Sequence, residues 1–198
     1  MRKSHTLPPA YFEGLYGAAS DPWGFASSPY EHAKYEATLA ALNDEAIEHA
    51  LEVGCSIGVL THRLASRCGR LTATEVSAKA LDQARGRCIG QPNVRFQHVG
   101  SIDDRLPGPF DLILLSEVVY YWDDADLDRA AGMIRSQIRP GGRVLLVHWL
   151  GETDYPKSGD DAVESLRVLL ADWIRVERAS RTQDYRLDLW RWTSAAGD

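Results

Sequence analysis

The sequence predicts an α/β fold, a doubly wound and mostly parallel sheet closed by a terminal antiparallel hairpin. Three observations carry that reading. Short β-type runs alternate with helix-type runs from residue 49 onward, the pattern of a wound sheet. The first apolar run ends in a glycine turn, Glu52-Val-Gly54-Cys-Ser-Ile-Gly58, which opens a helical stretch. The last run, Tyr185-Arg-Leu-Asp-Leu-Trp-Arg-Trp192, alternates strictly, as a half-buried antiparallel strand does.

Taken in order, the chain begins with a segment, 1–48, that the sheet does not require. It is rich in aromatics, including Tyr11-Phe12, Leu15-Tyr16 and Asp21-Pro-Trp23-Gly-Phe25. Ser28 and Glu31 form a capping box with Pro29 at the first helical position, so a helix is expected from there to about Leu42. On it, Tyr30, Lys34, Thr38 and Ala41 share one face. Parallel strands are expected at 49–53, 71–75, 94–98, 110–116 and 142–149, with helices at 58–67, 78–88 and 125–138. Ser77 suits the N-cap of the second helix, and Pro140-Gly141-Gly142 should stop the third before the fifth strand. Trp173–Ala179 and Tyr185–Trp192 flank a polar turn, Ser180–Asp184, and form the closing hairpin. Residues 149–161, with Asp-Tyr-Pro and Ser-Gly-Asp-Asp, read as an irregular loop. The whole is expected to be one domain, 1–198, with 1–48 as a helical lid and 49–198 as the cofactor-binding sheet.

Bulk properties narrow the function. A chain of 198 residues with 44% hydrophobic and 25% charged residues suits one soluble core. The net charge of −6 and the lack of a Lys/Arg cluster disfavour nucleic acid or an anionic membrane as partner. No signal peptide or spanning stretch is read at the start or elsewhere, and Cys55, Cys68 and Cys88 lack metal-ligand spacing. No metal is therefore expected, and reduced thiols point to the cytoplasm.

The turn also selects among cofactors. Glu75 ends the second strand, 21 residues beyond Gly54, where a carboxylate binds vicinal ribose hydroxyls. A dinucleotide fingerprint started at Gly54 needs glycines at 56 and 59, which are Ser56 and Val59 here. Glu52 would moreover repel a pyrophosphate and attract an ammonium group. S-adenosylmethionine fits those demands, with S-adenosylhomocysteine as product. A nicotinamide oxidoreductase is thereby disfavoured. A non-catalytic nucleotide-binding protein would be expected to lose Gly54, Gly58 or Glu75, and all three are present. An RNA methyltransferase conflicts with the acidic balance.

Leu51-Glu-Val-Gly-Cys-Ser-Ile-Gly-Val-Leu-Thr61 resembles motif I of the class I S-adenosylmethionine-dependent methyltransferases, with Ser56 where the common form has its middle glycine. Three further segments resemble the rhizobial nodulation N-methyltransferase (NodS-like) group: Asp21-Pro-Trp…Tyr30-Glu31…Lys34-Tyr35, Phe110-Asp-Leu-Ile-Leu-Leu-Ser-Glu-Val-Val-Tyr-Tyr121, and Pro140-Gly-Gly…Leu146-Val-His-Trp149. The resemblance implies a Rossmann-like, seven-stranded sheet. It implies that Glu52, Gly54, Cys55, Ser56 and Gly58 hold the methionine end of the cofactor and that Glu75 holds the ribose. Val76 would pack on the adenine, Ser101 and Ile102 would meet its edge, and Ser116 and Glu117 would lie beside the sulfonium. Read from its residues, the 1–48 segment is either an amphipathic helix packed on the sheet edge or a lid whose aromatics, Trp23 among them, close over the cofactor and leave Lys34 near its carboxylate.

The acceptor is expected to be a small molecule. Enzymes of the resembled group N-methylate an aminosugar, which implies an amine acceptor. Acidic residues Glu117, Asp154, Asp160 and Asp161 near the expected mouth suit a cation. Tyr30, Tyr120, Tyr121, His148, Trp149 and Tyr155 are the candidate acceptor contacts, and Tyr120, Tyr121 and Trp122 a candidate aromatic wall. Glu117 and His148 are the candidate proton acceptors. The alternative is O-methylation of a hydroxyl with His148 as general base.

Overall fold

Seven strands and six α-helices make up the computed structural model, which describes residues 2–193. The ends of the 1–198 domain assignment, Met1 and residues 194–198, lie outside the described residues. The chain forms two compact units. One is Pro8–Ser101 and the other runs from Ile102 onward and includes the chain start through Leu7.

The first unit holds helices α1 (Pro9–Ala18) and α2 (Pro29–Ala41), then β1 (Ile47–Val53), α3 (Val59–Leu64), β2 (Cys68–Glu75), α4 (Ala78–Arg87) and β3 (Val94–His98). Ser28 caps α2 by accepting a hydrogen bond from the Glu31 N–H, and Ser77 caps α4 by accepting from the Ala80 N–H, as the sequence predicts. The three strands are parallel, and β1 and β2 register Val53 against Thr74. That register sets Glu52 and Glu75 at the same end of the pair. Ala50, Leu51, Leu71 and Ala73 are buried, as strands covered on both faces require.

The second unit holds β4 (Phe110–Ser116), α5 (Asp124–Gln137), β5 (Ile138–Trp149), α6 (Gly159–Leu169), β6 (Ile174–Arg181) and β7 (Tyr185–Trp192). Strands β4 and β5 are parallel, while β7 is antiparallel to both β5 and β6. The seven-stranded order is β3-β2-β1-β4-β5-β7-β6. Its core strands carry Leu112–Leu115 and Val144–Val147, all fully buried.

Two local expectations are corrected. Pro140-Gly141-Gly142 does not precede the fifth strand but lies within β5. Ile138 pairs with Phe110 and Arg143 with Leu112, so residues 139–142 bulge out, with Gly141 at a left-handed φ of 76°. Residues 9–18 form a helix inside the segment read as helical, at a place where no single helix is drawn from the sequence, and 159–169 form a helix whose first residues fall in the stretch read as an irregular loop. Gly14 and Gly17 weaken the helical signal of α1. At α6 the Ser-Gly-Asp-Asp run looks like a turn, yet Ser158 is an N-cap that accepts from the Asp161 N–H. Ala162, Val163 and Leu166 then form its buried stripe.

Candidate functional site

At the tip of β1 the chain hooks back rather than running on. The Gly54 and Cys55 N–H groups both donate to the Thr74 carbonyl, at 2.9 and 2.8 Å. Three residues of the turn adopt left-handed φ: Gly54 at 73°, Ser56 at 52° and Gly58 at 79°. Gly58 has a second constraint. A Cβ there would lie 2.8 Å from Ala84 Cα in α4, so only glycine lets the turn pack so closely.

Two buried glutamates stand at this end of β1 and β2, in different surroundings. Glu75 accepts three backbone hydrogen bonds, from Ser56 (2.8 Å), Val76 (2.9 Å) and Ser77 (3.0 Å). Burial raises its pKa and those N–H groups oppose the rise. Glu52 is 2% exposed, and no hydrogen bond reaches its Oε2 among the described residues. Burial pushes its pKa up to about 7, the Thr61 hydroxyl works against that, and the charge of Glu75 adds to it. Cys55 is buried on the turn, and burial likewise raises its thiol pKa well above normal. A buried carboxylate with a spare oxygen suits an ammonium ligand. A carboxylate already oriented by backbone donors suits a diol, because its remaining lone pairs have fixed directions.

Helix α1 adds contacts that the sequence reading misses. The Tyr16 hydroxyl meets Ser56 Oγ at 2.5 Å, and Ser77 Oγ donates to Glu13 Oε2 at 2.5 Å. Gln83 of α4 reaches the Ser20 carbonyl at 3.0 Å. Trp23 packs edge-on against Tyr16 and stacks on Phe25. The aromatic run signals this cluster in the sequence, but only a helix over 9–18 aims Tyr16 and Glu13. On α2, Lys34 is 1% exposed, pairs with Glu31 at 2.9 Å and lies 5.1 Å from the half-buried Tyr30 ring. Val76 is half-buried and Ser101 exposed.

The second unit gathers Glu117, Tyr120, Tyr121, His148, Trp149 and Tyr155, with Ser116 as the last residue of β4 and Ile102 half-buried in the preceding loop. Glu117 takes a left-handed φ of 58°, a strained conformation for a residue other than glycine. Its Oε2 accepts from the Tyr120 hydroxyl (2.6 Å) and from the Trp149 N–H (3.0 Å). His148 is fully buried, and its Nε2 accepts from the Val119 N–H at 3.1 Å. In the neutral ring the proton therefore sits on Nδ1. The Tyr120 ring packs edge-on against His148, with Tyr121 and Tyr155 in the same cluster at centroid distances of 4.7–5.3 Å. Burial raises the pKa of both Tyr120 and Tyr121.

The acidic mouth expected from the sequence is corrected. Asp160 is held by Arg181 and Arg186, each at 3.0 Å, and Asp154 by Lys3 at 3.1 Å. Asp161 accepts from Ser158 Oγ at the start of α6. The charges of Asp154 and Asp160 are compensated, so the cluster offers much less attraction to a cation than its composition suggests.

The sheet order, the glycine turn and the acids at the ends of β1 and β2 define the fold of the class I methyltransferases. Within that class the chain belongs to the nodulation protein S (NodS) family, whose model matches residues 16–146. It is 34% identical to nodulation protein S of Rhizobium tropici over 130 residues, 65% of this chain and 55% of that one. Against the Sinorhizobium fredii protein the identity is 32%, covering 65% and 60%. The chain thus spans between half and two thirds of the length of these curated relatives. Among solved structures, the N-methyltransferase NodS of Bradyrhizobium japonicum in complex with S-adenosylhomocysteine superposes with a TM-score of 0.79 at 22% identity, covering 94% of this chain and 99% of that one. A Pseudomonas syringae structure is 33% identical, with a TM-score of 0.73 over 82% of this chain and 98% of its own. No helix among the described residues is long and apolar enough to cross a membrane. No group of three or more His, Cys, Asp or Glu among them is placed to hold a metal ion.

Proposed function

We propose that this protein is an S-adenosylmethionine-dependent methyltransferase acting on an amine nitrogen of a small-molecule acceptor. The observation that carries the reading is the pair of buried glutamates on the glycine turn, one with a spare oxygen and one oriented by three N–H groups. Glu52 and the backbone of Gly54, Cys55, Ser56 and Gly58 would take the amino-acid end of the cofactor. Glu75 would take its ribose hydroxyls, with Val76, Ser101 and Ile102 at the base. Lys34, paired with Glu31 on α2, would reach the carboxylate. Helix α1 and Trp23 would act as the lid, Tyr16 and Glu13 fastening it to Ser56 and Ser77.

The cofactor supplies a methyl group on a sulfonium, a good leaving group, so the protein's task is alignment in a dry site. In the second unit Glu117, at the tip of β4, is held by Tyr120 and the Trp149 N–H, and Tyr121, Trp149 and Tyr155 would shape the acceptor side. An amine attacks through its neutral form, so activity should rise with pH through the amine's own pKa. O-methylation with His148 as base is the weaker reading, because Nε2 is already engaged by the Val119 N–H inside the core. Cys55, Cys68 and Cys88 form no disulfide among the described residues, which suits a reducing compartment, and the cytoplasm is the proposed location. The deciding experiment is a methyl-transfer screen over aminosugars, small amines and hydroxylated metabolites, reading out S-adenosylhomocysteine. Turnover of hydroxyl compounds alone would overturn the amine assignment.

A further inference from the structure

The two buried glutamates at the ends of β1 and β2 cannot be charged on equal terms. Three backbone N–H groups stabilise the Glu75 carboxylate. Each is a charge-assisted hydrogen bond that favours the ionised form. Glu52 is equally deep in the unit, but its Oε2 receives no hydrogen bond among the described residues. The groups that face it are Thr61 of α3, Glu75 at the end of β2, Cys55 on the turn and Cys88 at the end of α4. None of these is a cation. His98 and Tyr16 act on Glu75 instead. A second negative charge here would be desolvated, short of donors and repelled by Glu75, so Glu52 holds its proton to a higher pH than an ordinary carboxyl does.

Resting on the cofactor assignment above, we propose that Glu52 carries its proton until a ligand ammonium arrives and then releases it to solvent, so that cofactor capture is linked to pH. The ammonium supplies the donors and the positive charge that the pocket lacks. Glu52 loses one proton, the solvent gains it, and the bound pair is carboxylate with ammonium. The carboxyl half-ionises at about pH 7 in the absence of that partner, which puts the linkage near neutral pH.

The test is calorimetric titration of the full chain with S-adenosylhomocysteine at pH 6, 7 and 8, each in buffers of low and high ionisation enthalpy. From the half-ionisation point, release should be about 0.9 proton per ligand at pH 6, about 0.5 at pH 7 and about 0.1 at pH 8. Affinity should tighten about tenfold from pH 6 to pH 8. Glu52→Gln should bind more weakly and lose both effects, whereas titration of the ligand's own amine would persist in it. Tight binding with no buffer dependence, proton uptake, or unchanged release in Glu52→Gln would overturn the linkage and leave the cofactor assignment standing. No binding at any pH would overturn the cofactor assignment itself. The wild-type buffer series decides the matter even if Glu52→Gln fails to fold.

Discussion

The tips of β1 and β2 and the tips of β4 and β5 both carry a glutamate on a left-handed turn or beside one, yet they are built to opposite ends. Around Glu52 and Glu75 the polar groups are mostly backbone, and one carboxylate oxygen has no hydrogen bond from the described residues. Around Glu117 the partners are side chains and neighbouring strands: the Tyr120 hydroxyl, the Trp149 N–H, and His148 bonded to Val119. The first arrangement offers unsatisfied capacity to a ligand. The second consumes its own capacity and presents tyrosine rings. On the proposed reading the backbone cradle would hold the cofactor, while the interlocked aromatic wall would fix a shape, which is what acceptor selectivity needs.

The largest expected effect tests how closely the cradle must pack. Gly58→Ala would force a left-handed φ on alanine, at about 1–3 kcal/mol, and drive a methyl group into the Ala84 backbone, at about another 1–3 kcal/mol. Denaturant unfolding should show the sum as a lowered midpoint. A midpoint equal to wild type would mean that α4 can back away and that the close approach is not required.

Next is Glu75, the carboxylate proposed to hold the ribose. Glu75→Ala should weaken S-adenosylhomocysteine binding by about 1.5–3 kcal/mol, the range for hydrogen bonds to a charged group. It should also lower stability, because the Ser56, Val76 and Ser77 N–H groups lose their acceptor. A folded variant with unchanged affinity would break the contrast, since the first pair of tips would then not be the cradle.

His148→Ala asks the converse question of the second pair. The Val119 N–H would be left buried without its acceptor, costing about 1–3 kcal/mol of stability. Methyl transfer to an amine should persist, with kcat/KM still climbing through the amine's own pKa. Loss of turnover in a variant that remains folded would turn the wall into a reactive centre and favour hydroxyl chemistry.

What the sequence makes legible follows the same division. Strand periodicity, the capping residues Ser28 and Ser77, and the spacing from Gly54 to Glu75 are local signals, and the structure places each where they indicate. Side-chain partnerships across the chain leave no such mark. The pairing of Asp160 with Arg181 and Arg186 joins α6 to the closing hairpin, so reading Asp160 as free acidity misjudges the mouth. Likewise Tyr16 and Glu13 are ordinary residues in a glycine-containing stretch until α1 aims them at Ser56 and Ser77.

Ser56 gives the finest test of the contrast, because it combines a left-handed position on the turn with a side-chain bond to Tyr16 of α1. It sits at φ 52°, where a residue other than glycine pays about 1–2 kcal/mol, in the position that resembles the middle glycine of the motif. Its hydroxyl bonds to Tyr16, a gain of about 0.5–1.5 kcal/mol. Ser56→Gly exchanges one for the other and adds glycine's extra unfolded-state entropy, so global stability should move by less than about 1 kcal/mol. The local consequence should be plainer. With Tyr16 released, amide hydrogen exchange in residues 9–18 should quicken several-fold while β1 and β2 stay protected. Adding S-adenosylhomocysteine should slow exchange across residues 9–35 in wild type, and less so in the variant. If α1 exchanges equally in both proteins, the Tyr16–Ser56 bond does not fasten it, and the strain at Ser56 serves something other than the lid.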